Sequence, residues 1–283
     1  MKKVLALILT LLMVVGCFTG CGEEAKDQTD WEYIQEKGEM VVGITYFSPM
    51  NYLDEEGNLT GFETEFAEAV AEKLGVKVKF QVIEWKLKET ELNSKNIDCI
   101  WNGMTIDDDR KANMEITIPY MNNKQVLVTK AENADTYNSV LGLNGANVVA
   151  EEGSAGETVA TTDETFAGSN FTPVGAQSDV LLEIKSGTSD AGIIDYVMSI
   201  GSIGEGTDYA DLVAVDSMSF APEEYGVAFR KGSDAAEKVN EAMRELAKDG
   251  TLNTIATKYK LQDLSLTNVI TSLLIGGIIL LIT

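Results

Sequence analysis

The sequence predicts an α/β protein built as two lobes with a hinge between them. Three observations carry that expectation. The chain has 283 residues, and at roughly 100–200 residues per domain this length suggests about two domains. Apolar residues make up 45 % of it, which is ordinary for a folded chain and argues against disorder. Residues 31–260 then alternate strand-like and helix-like segments, the pattern of layered α/β proteins.

The elements follow in order. Residues 31–37 read as a short helix stopped by Gly38, and 40–45 (MVVGIT) as a buried strand. Residues 51–61 form a turn-rich hairpin around Glu56-Gly57-Asn58. Residues 62–74 are an amphipathic helix with Phe62, Phe66, Ala69, Val70 and Leu74 on one face. A strand at 77–82, a short helix at 87–92 and a buried strand at 97–101 complete the first unit, and a strand at 125–130 leaves it. The second unit has strands at 146–150, 191–194 and 213–215, and helices opening at Ser154, over 180–185 and over 196–203. Residues 225–230 (YGVAFR) read as a strand returning to the first unit. Residues 233–248 are the clearest helix, with Asp234 and Glu237 spaced as a capping box and Gly250 just past its last turn. The chain therefore crosses twice, near Lys130 and near Phe220. Lobe 1 is expected to hold 31–129 and 221–262, and lobe 2 to hold 130–220. Two crossings make a hinge, and clefts between lobes bind ligands.

Composition excludes several function classes. There is no His, which removes Ser-His-Asp and Cys-His catalysis and nearly all ordinary zinc sites. With 45 acids against 22 bases the net charge is −23, so the surface repels phosphate backbones and no nucleic-acid partner is expected. Asp54, Glu56 and Asn58 loosely suggest a calcium loop, but lack the glycine and glutamate that such a loop requires. No metal and no cofactor is expected. The cysteines are Cys17, Cys21 and Cys99, too few for a disulfide framework. Cys99 lies among Ile97, Ile100 and Trp101 and reads as a buried thiol.

The ends differ from the body. Residues 1–20 carry Lys2 and Lys3 ahead of an apolar run too short to span a bilayer, as in an export signal. Small residues precede both Cys17 and Cys21, resembling the bacterial lipoprotein box. Cys17 fits the box better upstream. Cys21 is better followed, by a polar tether over 21–30, and is preferred. Either one would bear the lipid (palmitate). Residues 264–283 hold no charge and at helical rise reach about 30 Å, a bilayer core. They read as a membrane segment, or as the opening of a permease domain; an amphipathic or core helix is the alternative.

Candidate binding residues sit at strand ends. Arg110 follows a buried strand at its carboxyl end, where open α/β sheets place ligands, and its planar fork matches a carboxylate; a surface arginine offset by Asp107, Asp108 and Asp109 explains it as well. Asp195 closes strand 191–194 and suits an ammonium group, or equally a helix N-cap for Tyr196 onward. Ser154-Ala155-Gly156 opens a helix whose free N–H groups favour an anion. Phe47 and Trp85 follow strands and could wall a pocket, although core packing is commoner for any single ring.

One segment carries a family pattern. GFETEFAEAVAEKL at 61–74 resembles the signature of the family 3 extracellular solute-binding proteins, the polar amino-acid receptors of ABC transporters. The other pieces follow in the family's order: VVGITYFSPMNY, IDCIWNGMT with DDDR, EEGSAGE, SDAGIIDY, YGVAFRKGS and ELAKDGTLNTIATKY. The resemblance runs from about Trp31 to about Tyr259. It implies a periplasmic-binding-protein-like type II fold with hinge and interlobe cleft. It also implies a lipid-anchored receptor at the outer face of the cell membrane that hands an L-amino acid to an ABC permease with its ATPase subunits.

The same resemblance assigns roles. Arg110 would clamp the ligand carboxylate, with the Thr105 hydroxyl and the backbone N–H near Ala155 beside Ser154. Asp195 would take the ammonium together with the Gly103 carbonyl, Phe47 and Trp85 would sandwich the side chain, and Asn102 would touch the ligand. Ala155 departs from the family's usual hydroxyl residue. The acid that receptors for basic amino acids often carry just before the Phe47 aromatic is missing, since Ile44, Thr45 and Tyr46 stand there; that counts against a strongly cationic side chain. The alternatives are a ligand-sensing ectodomain and an enzyme on the same fold, such as a dehydratase. With Asp195 assigned to an ammonium, no acid is expected to remain in the cleft for catalysis.

Overall fold

The computed structural model describes residues 28–261. The strands, in chain order, are β1 (Glu39–Ile44), β2 (Tyr52–Leu53), β3 (Leu59–Thr60), β4 (Lys77–Val82), β5 (Cys99–Ile100), β6 (Met114–Ile116), β7 (Met121–Lys130), β8 (Asn147–Glu151), β9 (Asn170–Val174), β10 (Ala191–Asp195), β11 (Leu212–Tyr225) and β12 (Ala228–Arg230). They form two five-stranded sheets, ordered β4-β1-β5-β12-β6 and β11-β7-β10-β8-β9, and a small β2-β3 hairpin.

In the first sheet β1 runs parallel to β4 and β5, while β12 returns from late in the chain antiparallel to β5 and β6. Helices cover both faces, so β1 is buried from Met40 to Ile44 without alternation. The helix Phe62–Leu74 turns Phe62, Phe66, Ala67, Val70 and Ala71 inward against the helix Ala235–Lys248, which buries Val239, Ala242, Met243 and Leu246. Ahead of them the helix Asp30–Lys37 starts on a capping box between Thr29 and Glu32 and stops at Gly38, whose φ of 69° carries no Cβ penalty.

The expected capping box at Asp234 and Glu237 does not form. Asp234 makes no cap bond to its own helix; its Oδ1 accepts from the Trp31 N–H at 2.9 Å and so fastens the helix Asp30–Lys37 to the far end of the chain.

The second sheet keeps β8, β9 and β10 parallel, with β7 and β11 antiparallel at its edge. The strand expected at 125–130 begins at Met121, and although 121–129 fall within the expected lobe 1, β7 pairs along its length with β10 and β11 of this second sheet. Residues 225–230 are likewise not one strand. β11 ends at Tyr225, and Gly226 N–H turns to the Met104 carbonyl at 3.0 Å. A Cβ at Gly226 would meet Ile116 at 2.8 Å and Ile106 at 2.9 Å, so a glycine is needed where the chain leaves one sheet for the other. Cys99 is free and fully buried in β5, and burial holds its thiol well above the ordinary range.

Residues 1–20 with Cys17 and Cys21, most of the tether, and residues 264–283 lie outside the described residues. Among the described residues no helix is long and apolar enough to cross a membrane.

Candidate functional site

The carboxyl ends of β5, β8 and β10 converge on one tightly closed cleft, lined by Trp85, Asn102, Gly103, Thr105 and Arg110 from the first sheet's side and by Glu151, Ser154, Ala155, Gln177 and Asp195 from the second. This is where open α/β sheets hold ligands.

The first wall is the loop after β5. Asn102 Oδ1 accepts from Thr45 N at 2.9 Å and from Asn51 Nδ2 at 3.1 Å, and its Nδ2 donates to Thr45 Oγ1 at 2.6 Å. The amide thus ties the loop to the end of β1. Gly103 adopts φ 56° and donates its N–H to Glu63 Oε1 at 2.8 Å. A Cβ there would come 2.5 Å from Phe47 Cε1, so Phe47 lies directly behind Gly103. Phe47 is 2 % exposed within the core and does not line the cleft. The ring is part of the loop's support, and Trp85 is the aromatic that reaches the cleft wall. Beneath the loop, burial pushes the Glu63 carboxyl up to about 7, opposed by hydrogen bonds from Tyr120, Gly103 and Asn51.

Arg110 lies in the helix Asp108–Asn113, capped by Asp107, whose side chain accepts the Arg110 N–H at 2.7 Å. Its Nη1 donates to the Thr105 carbonyl at 2.8 Å and its Nε stands 3.2 Å from Asp107 Oδ2. Its Nη2 crosses the cleft to the Gly153 carbonyl at 3.3 Å. Lys88 Nζ donates to the same carbonyl at 3.0 Å while lying 4.8 Å from the centroid of the Trp85 ring. Burial lowers the Lys88 ammonium to about 8. Further contacts join the lobes: Lys86 meets Glu152 at 3.1 Å, and a Cβ on Gly201 would come 2.8 Å from Pro49 Cδ. The jaw is closed.

The second wall is set by strand ends and helix starts. Ser154 is the N-cap of the helix Ala155–Thr162, its Oγ accepting from Glu157 N at 3.1 Å. The first N–H groups of such a helix have no partner within it. Asp195 makes no cap bond to the helix that follows it. Its Oδ1 instead accepts from Gln125 Nε2 at 2.9 Å, from Tyr225 Oη at 2.7 Å and from Asn123 Nδ2, and Gln177 Nε2 donates to its Oδ2. Glu223 shares the Asn123 and Gln125 donors, and burial with the nearby Asp195 raises its carboxyl above the ordinary range.

Two lining residues escape the sequence reading, Gln177 and Glu151. Glu151 is the last residue of β8, the same kind of position that singled out Asp195, and it is 3 % exposed. Burial first, then the charge of Asp195, push its carboxyl up to about 8, with Lys88 and Arg110 acting the other way. An acid beyond Asp195 therefore does stand in the cleft, contrary to the expectation above.

Fold and cleft together define a two-lobed α/β binding protein with its site between the lobes. Residues 40–262 match the bacterial extracellular solute-binding proteins, family 3, and the chain belongs to that family. It is 31 % identical over 234 residues to the L-cystine-binding protein TcyJ of Escherichia coli (strain K12), covering 80 % of this chain and 84 % of that one. An ancestral arginine-binding protein bound to arginine superposes with a TM-score of 0.72 at 33 % identity, covering 78 % of this chain and 98 % of that one. The ancestral amino acid-binding protein AncCDT-1, described as a precursor of cyclohexadienyl dehydratase, superposes with a TM-score of 0.72 at 29 % identity, over 81 % of this chain and 98 % of the other.

Proposed function

We propose that the chain binds an L-amino acid between its lobes and delivers it to an ABC-type permease. One observation carries the reading: a buried arginine on one wall and a buried aspartate on the other line the same cleft. Arg110 takes the α-carboxylate, with the Thr105 hydroxyl and the Ala155 N–H beside it. Asp195 takes the α-ammonium together with the Gly103 carbonyl. Trp85 flanks the ligand side chain, and Asn102 and Ser154 hold their loops in register. Each charge-assisted hydrogen bond contributes on the order of 1.5–3 kcal/mol, and the two poles engage together only when the jaw shuts, so ligand favours the closed state.

The receptor is anchored at the outer face of the membrane through a lipid on Cys21, or on Cys17, with the residues ahead of Thr29 as tether and residues 264–283 as a second membrane contact. A thermal-shift panel of the standard L-amino acids and L-cystine on the purified chain tests the binding. At 100 times the dissociation constant a true ligand adds about 2.7 kcal/mol; no shift with any of them refutes the reading.

One feature favours a second reading, an elimination enzyme: the Glu151 carboxyl lines the cleft with its Oε1 unpartnered among the described residues, and burial pushes it up to about 8, as suits a general acid. Mass spectrometry of ligand incubated with the protein separates the two. Unchanged ligand is expected of a receptor, and loss of water or carbon dioxide would favour the enzyme.

A further inference from the structure

The ionisable groups lining the cleft outnumber those that a simple zwitterion engages. The lining holds one base, Arg110, and two acids, Asp195 and Glu151. If Arg110 meets the ligand carboxylate and Asp195 its ammonium, one buried acid is left over.

That acid is also the one without a partner. Asp195 already accepts from four side-chain donors. Glu151 Oε1 is buried and has no hydrogen-bond partner among the described residues. The nearby base Lys88 is committed to the Gly153 and Trp85 carbonyls at 3.0 and 3.4 Å and to the Trp85 ring. A buried polar atom left unpaired costs about 1–3 kcal/mol, and such atoms are rare in folded proteins.

We infer that Glu151 is the specificity residue of the cleft, and that it receives a cationic N–H group from the ligand's side chain. The inference rests on the amino-acid reading above and deepens it. The ligand is then an amino acid with a second positive nitrogen: a guanidinium, a side-chain ammonium, or the distal α-ammonium of a disulfide-linked diamino acid. The acid absent before Phe47 is thereby replaced by one from the opposite lobe. Burial pushes the Glu151 carboxyl up to about 8, and a cation placed beside it favours the ionised form.

The test is isothermal titration calorimetry on the full chain with matched pairs: L-arginine against L-citrulline, L-lysine against L-norleucine, and L-cystine against S-methyl-L-cysteine. Glu151→Gln, which keeps the side chain's size, is titrated alongside. For at least one pair the wild type is expected to prefer the cationic member by tenfold or more. In Glu151→Gln that preference should fall below threefold, chiefly through weaker binding of the cation. The pair that shows the preference identifies which cation is recognised.

A wild type that binds the neutral member equally well overturns the inference and leaves the amino-acid reading standing. So does a preference that survives Glu151→Gln. Failure of every standard amino acid and of L-cystine to bind overturns both.

Discussion

Arg110→Ala is the most informative single change. A guanidinium carries five N–H donors in a fixed fork. Among the described residues Nη1 spends one on Thr105 O and Nη2 one on Gly153 O, while Nε faces Asp107. Each Nη therefore retains one N–H, the pair of donors that a carboxylate takes in bidentate fashion. Two charge-assisted hydrogen bonds at about 1.5–3 kcal/mol each sum to about 3–6 kcal/mol. At ~1.4 kcal/mol per tenfold that is a loss of about 10²–10⁴ in affinity. Calorimetric titration of wild type and Arg110→Ala with the same amino acid measures it. Arg110→Lys is the control, because it keeps the charge and loses the fork; it should recover less than half of the lost free energy. Circular dichroism checks that both variants fold. A folded Arg110→Ala protein that binds within tenfold of wild type would refute the clamp.

Other outcomes follow from the same geometry. In Gly201→Val even the Cβ would stand 2.8 Å from Pro49 Cδ of the other lobe; small-angle scattering should show a larger radius of gyration at saturating ligand than for wild type, and an equally closed particle would contradict the packing. In Gly103→Ala a Cβ at 2.5 Å from Phe47 and a φ of 56° combine, so urea unfolding should show a loss of about 1–3 kcal/mol. Glu63 goes from an ordinary 4.5 to about 7 on folding, worth about 3 kcal/mol at ~1.36 kcal/mol per unit. The folded state holds a proton that the unfolded chain releases, so stability falls as pH rises from about 4.5 to about 7 and then levels. The difference between wild-type and Glu63→Gln unfolding curves should trace that fall, and a flat difference would mean that burial does not dominate.

How much of this was legible in the sequence depends on what each segment buries. The helix Phe62–Leu74 and strand β4 match their expected bounds, because one was marked by a periodic apolar face and Gly75, and the other by an alternating KVKFQV. β11 was read as three residues and extends over Leu212–Tyr225. Its later part, with Asp216, Ser217, Pro222 and Glu223, has no apolar period, and it pairs with β7 through register shifts. The site was half legible for a similar reason. Strand ends pointed to Arg110 and Asp195 because charged residues there are conspicuous. Nothing local told Phe47, packed behind Gly103, from Trp85, which reaches the cleft. Glu151 stands beside Glu152 and Gly153, and nothing local marks it as the buried end of β8.

The link between the lobes has a mechanical meaning. β7 and β11 are the two connections, and they are bonded to each other from Lys130 and Leu212 down to Met121 and Tyr225. Two tapes stitched edge to edge act as one ribbon, which flexes out of its plane and resists sliding within it. Asn123 and Gln125 stand on one tape and Tyr225 ends the other, and all of them grip Asp195. On the proposed reading, a cargo held by that aspartate would pull on the pivot itself.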